Sequence, residues 1–253
     1  MTLTFGSLFA GIGGFDLGFE RAGMVCKWQV EIDDYANRVL AKHWPNAHRE
    51  RDIRGCGKHN LEPVDVICGG FPCQDISYAG LGAGLDGERS GLFFEAIRLV
   101  CELRLRIVVL ENVAALLTRG LDRVLGTLAE IGFNAEWHCI PAAAVGAPQL
   151  RERVFVVAYA GRFGQSVLLQ HNWKQNKRTT KDGGWEKAIR CDDRNSVDLG
   201  QRHCLHGLWN PQSSVPRTVD GVSNRVDRLR GLGNAVVPQV AEWIGRRIVE
   251  VVE

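Results

Sequence analysis

Three kinds of side chain in this sequence stand where chemistry is done. A thiol, Cys73, lies in the run Gly69-Gly70-Phe71-Pro72-Cys73-Gln74-Asp75-Ile76-Ser77, directly after the apolar stretch 65–69. That stretch reads as a short buried strand ended by glycines, which places Cys73 at a strand's carboxyl end. Open α/β sheets bind ligands and present reactive groups there, so the thiol is a candidate nucleophile. Lone cysteines are more often buried and inert, but the proline, the glycine pair and the polar Gln-Asp-Ile-Ser exit are not core-like. A carboxylate, Glu111, follows a second apolar run at 107–110. If the two strands are neighbours, thiol and acid face one pocket; a helix cap is the alternative for Glu111, and Asn112 could do that work too. In Gln149-Leu150-Arg151-Glu152-Arg153, alternation along an extended segment turns Gln149, Arg151 and Arg153 to one side. Pairing with Glu152 on the surface is the ordinary alternative.

A second constellation lies near the amino end. Residues 3–9 read as a strand that runs into Ala10-Gly11-Ile12-Gly13-Gly14, and helical periodicity begins at Phe15. Strand, glycine turn and helix let backbone amides approach a nucleotide-type ligand closely, although tight turns need glycine anyway. The strand-like stretch 25–30 ends in Glu31, about twenty residues past the glycines, where an acid accepts hydrogen bonds from ribose hydroxyls. Helix capping is the competing role, and Asp33 is better placed for it. Asp52-Ile53, after a short third strand, offers a second acidic position for reading an adenine amino group.

The elements that must hold these groups alternate as strand and helix. Helices are expected over 33–43, 92–104 and 239–251, with further strands over 134–140 and 154–158. Residues 80–91 hold five glycines without apolar periodicity, a loop long enough to close over a substrate, with Ser90 able to cap the helix after it. From 161 to about 216 the pattern dissolves into polar and basic residues with Trp173, Trp185 and Trp209 interleaved, and no helix or strand is assigned.

Composition narrows the class. The 253 residues are 45% hydrophobic and 24% charged, as in an ordinary globular protein. No apolar stretch has the length of a membrane span and no secretory signal precedes the first strand, so a cytoplasmic protein is expected. The eight cysteines include no CxxC pair and read as free thiols. Cys191, His203, Cys204 and His206 have no zinc-site spacing, and no metal is expected. Net charge is only +2, but over 161–230 Lys and Arg outnumber Asp and Glu by 13 to 7, which suits a polyanion as well as a solvated loop.

Taken in order, the stretches FAGIGG, GGFPCQDIS, ENV, QLRER and GNAVVP resemble the DNA (cytosine-5)-methyltransferase family over most of the chain. The resemblance implies a Rossmann-like α/β sheet with helices on both faces, in a catalytic and cofactor-binding domain over 1–160. A small irregular target-recognition segment would follow over 161–217, and 218–253 would return to the catalytic domain. It implies S-adenosylmethionine as cofactor and double-stranded DNA as partner. Cys73 would add to cytosine C6, Glu111 would hold the N3 edge, and Arg153 would contact O2, with Arg151 and Gln149 supporting the loop. Phe9, Gly11, Gly13, Glu31, Ile32, Asp52, Ile53, Pro72, Leu92, Asn234 and Val236 would form the cofactor site. Ile32 stands where the family often has an aromatic residue, which weakens adenine stacking. The recognition segment is short, and the motif before GNAVVP survives only around 225–229. An RNA-directed enzyme and a DNA-binding relic without turnover are the alternatives; a nicotinamide oxidoreductase leaves Pro72-Cys73 and Glu111 unexplained. A monomer is expected, with a cognate restriction nuclease as a separate protein.

Overall fold

The computed structural model describes residues 2–72, 91–147, 149–161, 175–179, 185–189 and 225–252. Seven strands form one sheet: β1 (Thr4–Leu8), β2 (Val25–Val30), β3 (His48–Glu50), β4 (Val66–Gly70), β5 (Ile107–Val113), β6 (Phe133–Pro141) and β7 (Glu152–Ala160). Their order is β3-β2-β1-β4-β5-β7-β6. The first five are mutually parallel, and β7 runs antiparallel to both β5 and β6. The helices are α1 (Gly14–Arg21), α2 (Asp34–His43), α3 (Gly91–Glu102), α4 (Leu121–Glu130), α5 (Arg225–Asn234) and α6 (Pro238–Val252).

Both faces of the sheet are apolar, as expected where helices cover parallel strands on each side. Alternation sorts the strand residues. Phe5, Val66, Cys68, Ile107 and Val109 pack with Phe15 and Phe19 of α1 and with Val240, Ile244 and Ile248 of α6. Leu8, Trp28, Ile67, Val108 and Leu110 point the other way, onto Phe93 and Val100 of α3 and Val124 and Leu128 of α4. Strand order reverses direction between β1 and β4, where Leu8 pairs with both Val30 and Gly69. A doubly wound sheet opens a crevice at the carboxyl ends of its strands at that switch point. The glycine turn after β1 and the Gly69-Gly70 end of β4 therefore meet there.

The expected elements are present, with informative differences. The strand read at 107–110 continues through Glu111 to Val113, because β4 on one side and β7 on the other keep its backbone paired. The strand read at 154–158 likewise starts earlier, at Glu152. The GNAVVP stretch begins inside a helix, since α5 runs through Gly231 and Gly233 to Asn234. Within 161–216 there is regular structure that sequence reading did not assign: β8 (Gln175–Thr179) and β9 (Trp185–Ile189) pair as an antiparallel two-stranded sheet.

Candidate active site

The turn after β1 is built on positive backbone angles: φ is 51° at Phe9, 56° at Gly11 and 85° at Gly13. Only glycine takes such angles without strain, so Phe9 is the residue held under strain, a condition common at binding sites. The parallel pairing of β1 with β2 brings Glu31 to this turn. One Glu31 carboxylate oxygen accepts from the Gly11 amide at 2.7 Å and the other from the Asp33 amide at 2.8 Å. Asp33 is the cap of α2, accepting from the Ala36 amide at 2.8 Å, which leaves Glu31 to the crevice.

The crevice is one cavity. Its lining includes Phe9, Gly11, Glu31, Ile32, Asp33 and Tyr35 on one side and Gly70 and Glu111 on another. Asp227, Gly231, Asn234, Ala235 and Val236 line it as well. Gly14 explains how the last of these approach so closely, since a Cβ there would collide with the carbonyl oxygen of Val236.

At the far end, register does the positioning. Glu111 is paired with Gly70 on β4 and with Phe155 on β7, while Val113 faces Arg153. The Glu111 Oε1 atom lies 3.1 Å from Arg153 Nε. A Cβ at residue 70 would stand 2.7 Å from Glu111 Oε2, so glycine makes room for the carboxyl group. Glu111 is buried, and burial pushes its pKa up to about 7, against the opposing pull of Arg153 and then Arg151. It is thus poised to hold or release a proton near neutrality. Asn112, next along the strand, donates from Nδ2 to the Phe71 carbonyl at 3.1 Å and accepts at Oδ1 from the Val113 amide at 2.8 Å. It ties the backbone two residues before Cys73 to β5.

The arginine stretch departs from the expected alternation. Arg153 lies in β7, but Arg151 has φ 28°, so the run is not uniformly extended. Arg151 Nη1 donates to the Gly233 carbonyl and Nη2 to the Ala235 carbonyl, each at 2.7 Å. Gln149 is exposed.

Other anticipated residues lie off the cavity lining. Asp52 caps a 3-10 turn and pairs with Arg54 at 2.7 Å; that side-chain hydrogen bond, chiefly, holds its carboxyl below the usual range. Ile53 is buried in the core and Leu92 packs against it. Pro72 is half-buried, and Gly13 is covered by the Trp44 ring. Cys73, the 80–90 loop and the Cys191, His203, Cys204 and His206 cluster fall outside the described residues. Four residues escaped sequence reading. Tyr35 stands three positions after Ile32, Asp227 one turn before Gly231, Gly70 beside Glu111, and Asn112 was weighed only as a cap. Helical i,i+4 spacing to Gly231 could have flagged Asp227.

A family profile described as C-5 cytosine-specific DNA methylase matches residues 3–204. The chain belongs to the C-5 cytosine-specific DNA methylases. This methylase is 34% identical over 300 residues to the type II methyltransferase M2.BsuMI of Bacillus subtilis (strain 168), covering 96% of this chain and 74% of the relative. It is 33% identical over 161 residues to the type II methyltransferase M.HhaI of Haemophilus parahaemolyticus, covering 62% of this chain and 49% of that one. M2.BsuMI apart, the methylase spans about half the length of the curated relatives it matches. A crystal structure described as a DNA modification methyltransferase encoded within a prophage (E. coli) aligns over 99% of both chains with a TM-score of 0.64. At 20% identity that likeness concerns the fold. Among the described residues no helix is long and apolar enough to cross a membrane, and no cluster of residues could hold a metal ion.

The methyl donor of such a family, S-adenosylmethionine, suits the donor set of the cavity. Backbone amides and the positive-φ Gly11 admit close approach, and Glu31, Asp33 and Asp227 give the lining an acidic character that favours a cationic sulfonium.

Proposed function

We propose that the protein methylates C5 of cytosine in duplex DNA, with S-adenosylmethionine as donor and Cys73 as nucleophile. The observation that carries this reading is a cavity lined both by Glu31 and the glycine turn and by Glu111. Gly70, which borders it, is three residues from Cys73 in the chain.

Cytosine C5 is a weak nucleophile. Addition of the Cys73 thiolate to C6 turns C5 into an enamine carbon, and this is the step the acid must assist. Glu111, protonated, donates to N3 and draws electron density from C6 as sulfur adds. Arg153 stays beside Glu111 and contacts O2 of the base. When bound against Phe9, Gly11, Glu31 and Asn234, S-adenosylmethionine supplies the methyl that C5 accepts. Loss of the C5 proton to a base and departure of Cys73 restore aromaticity. The target base must leave the duplex at a cost of a few kcal/mol, and the 80–90 loop closes over it.

Residues 161–217 are assigned to target recognition, and their basic balance suits phosphate contacts. A separate restriction nuclease is the expected companion, and the enzyme is proposed to act as a monomer. Transfer of labelled methyl from S-adenosylmethionine to mixed-sequence duplex DNA tests the whole reading, with Cys73→Ser as control. Absence of transfer to DNA defeats it, and transfer to RNA alone redirects it. A covalent adduct with DNA containing 5-fluorocytosine separates a working enzyme from a DNA-binding relic.

A further inference from the structure

The Arg151 side chain feels the charges of both Arg153 and Glu111, and it also reaches the carboxy-terminal segment. Its guanidinium donates to the carbonyls of Gly233 and Ala235, the two residues that flank Asn234. The backbone is arranged for this reach. Arg151 takes a positive φ of 28°, and the Ala142 amide holds the turn from behind by donating to the carbonyls of Leu150 at 2.9 Å and Arg151 at 3.2 Å. A planar guanidinium holds two donor nitrogens in a fixed fork that matches two carbonyl oxygens, a geometry the single nitrogen of an ammonium on a flexible stem does not reproduce. The segment so held lines the cavity through Asn234, Ala235 and Val236.

We infer that Arg151 is a positioning residue for the methyl-donor site, a two-point brace that sets Asn234 in the cavity wall and fastens that wall to the strand carrying Arg153. This rests on reading the cavity as the donor site. The resemblance to the family suggests instead that Arg151 supports the catalytic loop, so the two roles are distinguishable. If Arg151 acts through Asn234, its loss weakens donor binding and leaves DNA binding in place. The brace also links the Asn234 segment to the partner of Glu111, because Arg151 immediately precedes β7, in which Arg153 lies.

The test uses the full chain and isothermal titration with S-adenosylmethionine, applied to Arg151→Met, Arg151→Lys, Asn234→Ala and the Arg151→Met/Asn234→Ala double variant. Loss of two charge-assisted hydrogen bonds to the pocket wall weakens donor binding about tenfold or more in Arg151→Met. Arg151→Lys falls between it and the unmodified protein, keeping one of the two bonds. The double variant binds within about twofold of the weaker single variant, as coupled residues do. Affinity for duplex DNA stays within about twofold throughout. Unchanged donor affinity in a folded Arg151 variant overturns the inference. So do additive losses in the double variant, or a parallel fall in DNA affinity. Should Arg151→Met fail to fold, Arg151→Lys alone decides, by weakening or not weakening donor binding. An unmodified protein that does not bind S-adenosylmethionine overturns the donor-site reading and this inference with it; normal binding with indifferent variants overturns this inference alone.

Discussion

Glu111 and Arg153 meet across the junction of a parallel and an antiparallel strand pair, Oε1 to Nε at 3.1 Å, with Gly70 closing the other side of the carboxyl group. The pair is unequal. Burial raises the acid to about 7 although an arginine stands beside it, so desolvation outweighs the attraction. An acid that must donate to a base edge gains from that imbalance.

Adduct formation with DNA containing 5-fluorocytosine should fall as pH rises through about 7, where Glu111 loses its proton. Arg153 opposes that rise, so Arg153→Met should move the decline to higher pH even as it lowers the plateau. A decline fixed at the same pH in both proteins would remove Glu111 as the group responsible.

Stability should respond in the same window. The folded pKa of Glu111 lies above the ordinary carboxyl value, so the native state binds the proton more tightly than the unfolded one. The protein therefore loses stability as pH rises from about 4.5 to about 7, by up to about 3 kcal/mol from this group. Urea unfolding of Glu111→Gln at pH 5 and pH 8 should show that slope flattened.

Gly70→Ala places a methyl group 2.7 Å from Glu111 Oε2 between paired strands. The carboxyl must shift, and overpacking of this kind costs about 1–3 kcal/mol. Turnover should fall at least about tenfold while the donor dissociation constant holds, a split that steady-state kinetics and titration together reveal.

Asn112→Ala removes the tie to the Phe71 carbonyl and leaves that oxygen unsatisfied. A loss of about 1–3 kcal/mol follows for a buried pair. Adduct formation should slow more than donor affinity changes, because the tie holds the backbone two residues before Cys73 in the chain.

The parallel half of the sheet was legible because buried parallel strands read as short apolar runs between turns, as at 65–69 and 107–110. Glu31 was found by its place at the end of β2, and Asp33 by its capping position. What sequence hid was set by tertiary contact. Nothing in the residue type announces that Arg151 takes a positive φ, so the alternation rule failed there. Glu111 belongs to a strand because β4 and β7 pair with it on both sides, information carried by residues forty positions away. The glycine at 231 owes its place in α5 to close approach, since a Cβ there would crowd the Ile12 side chain, with Tyr35 also nearby.

Gly14 lies against Val236, more than two hundred positions later in the chain. A nascent chain on the ribosome can assemble the β1 turn early, yet that turn has no opposing wall until residues 227–236 emerge. Completion of the cavity is thereby a late event in biosynthesis.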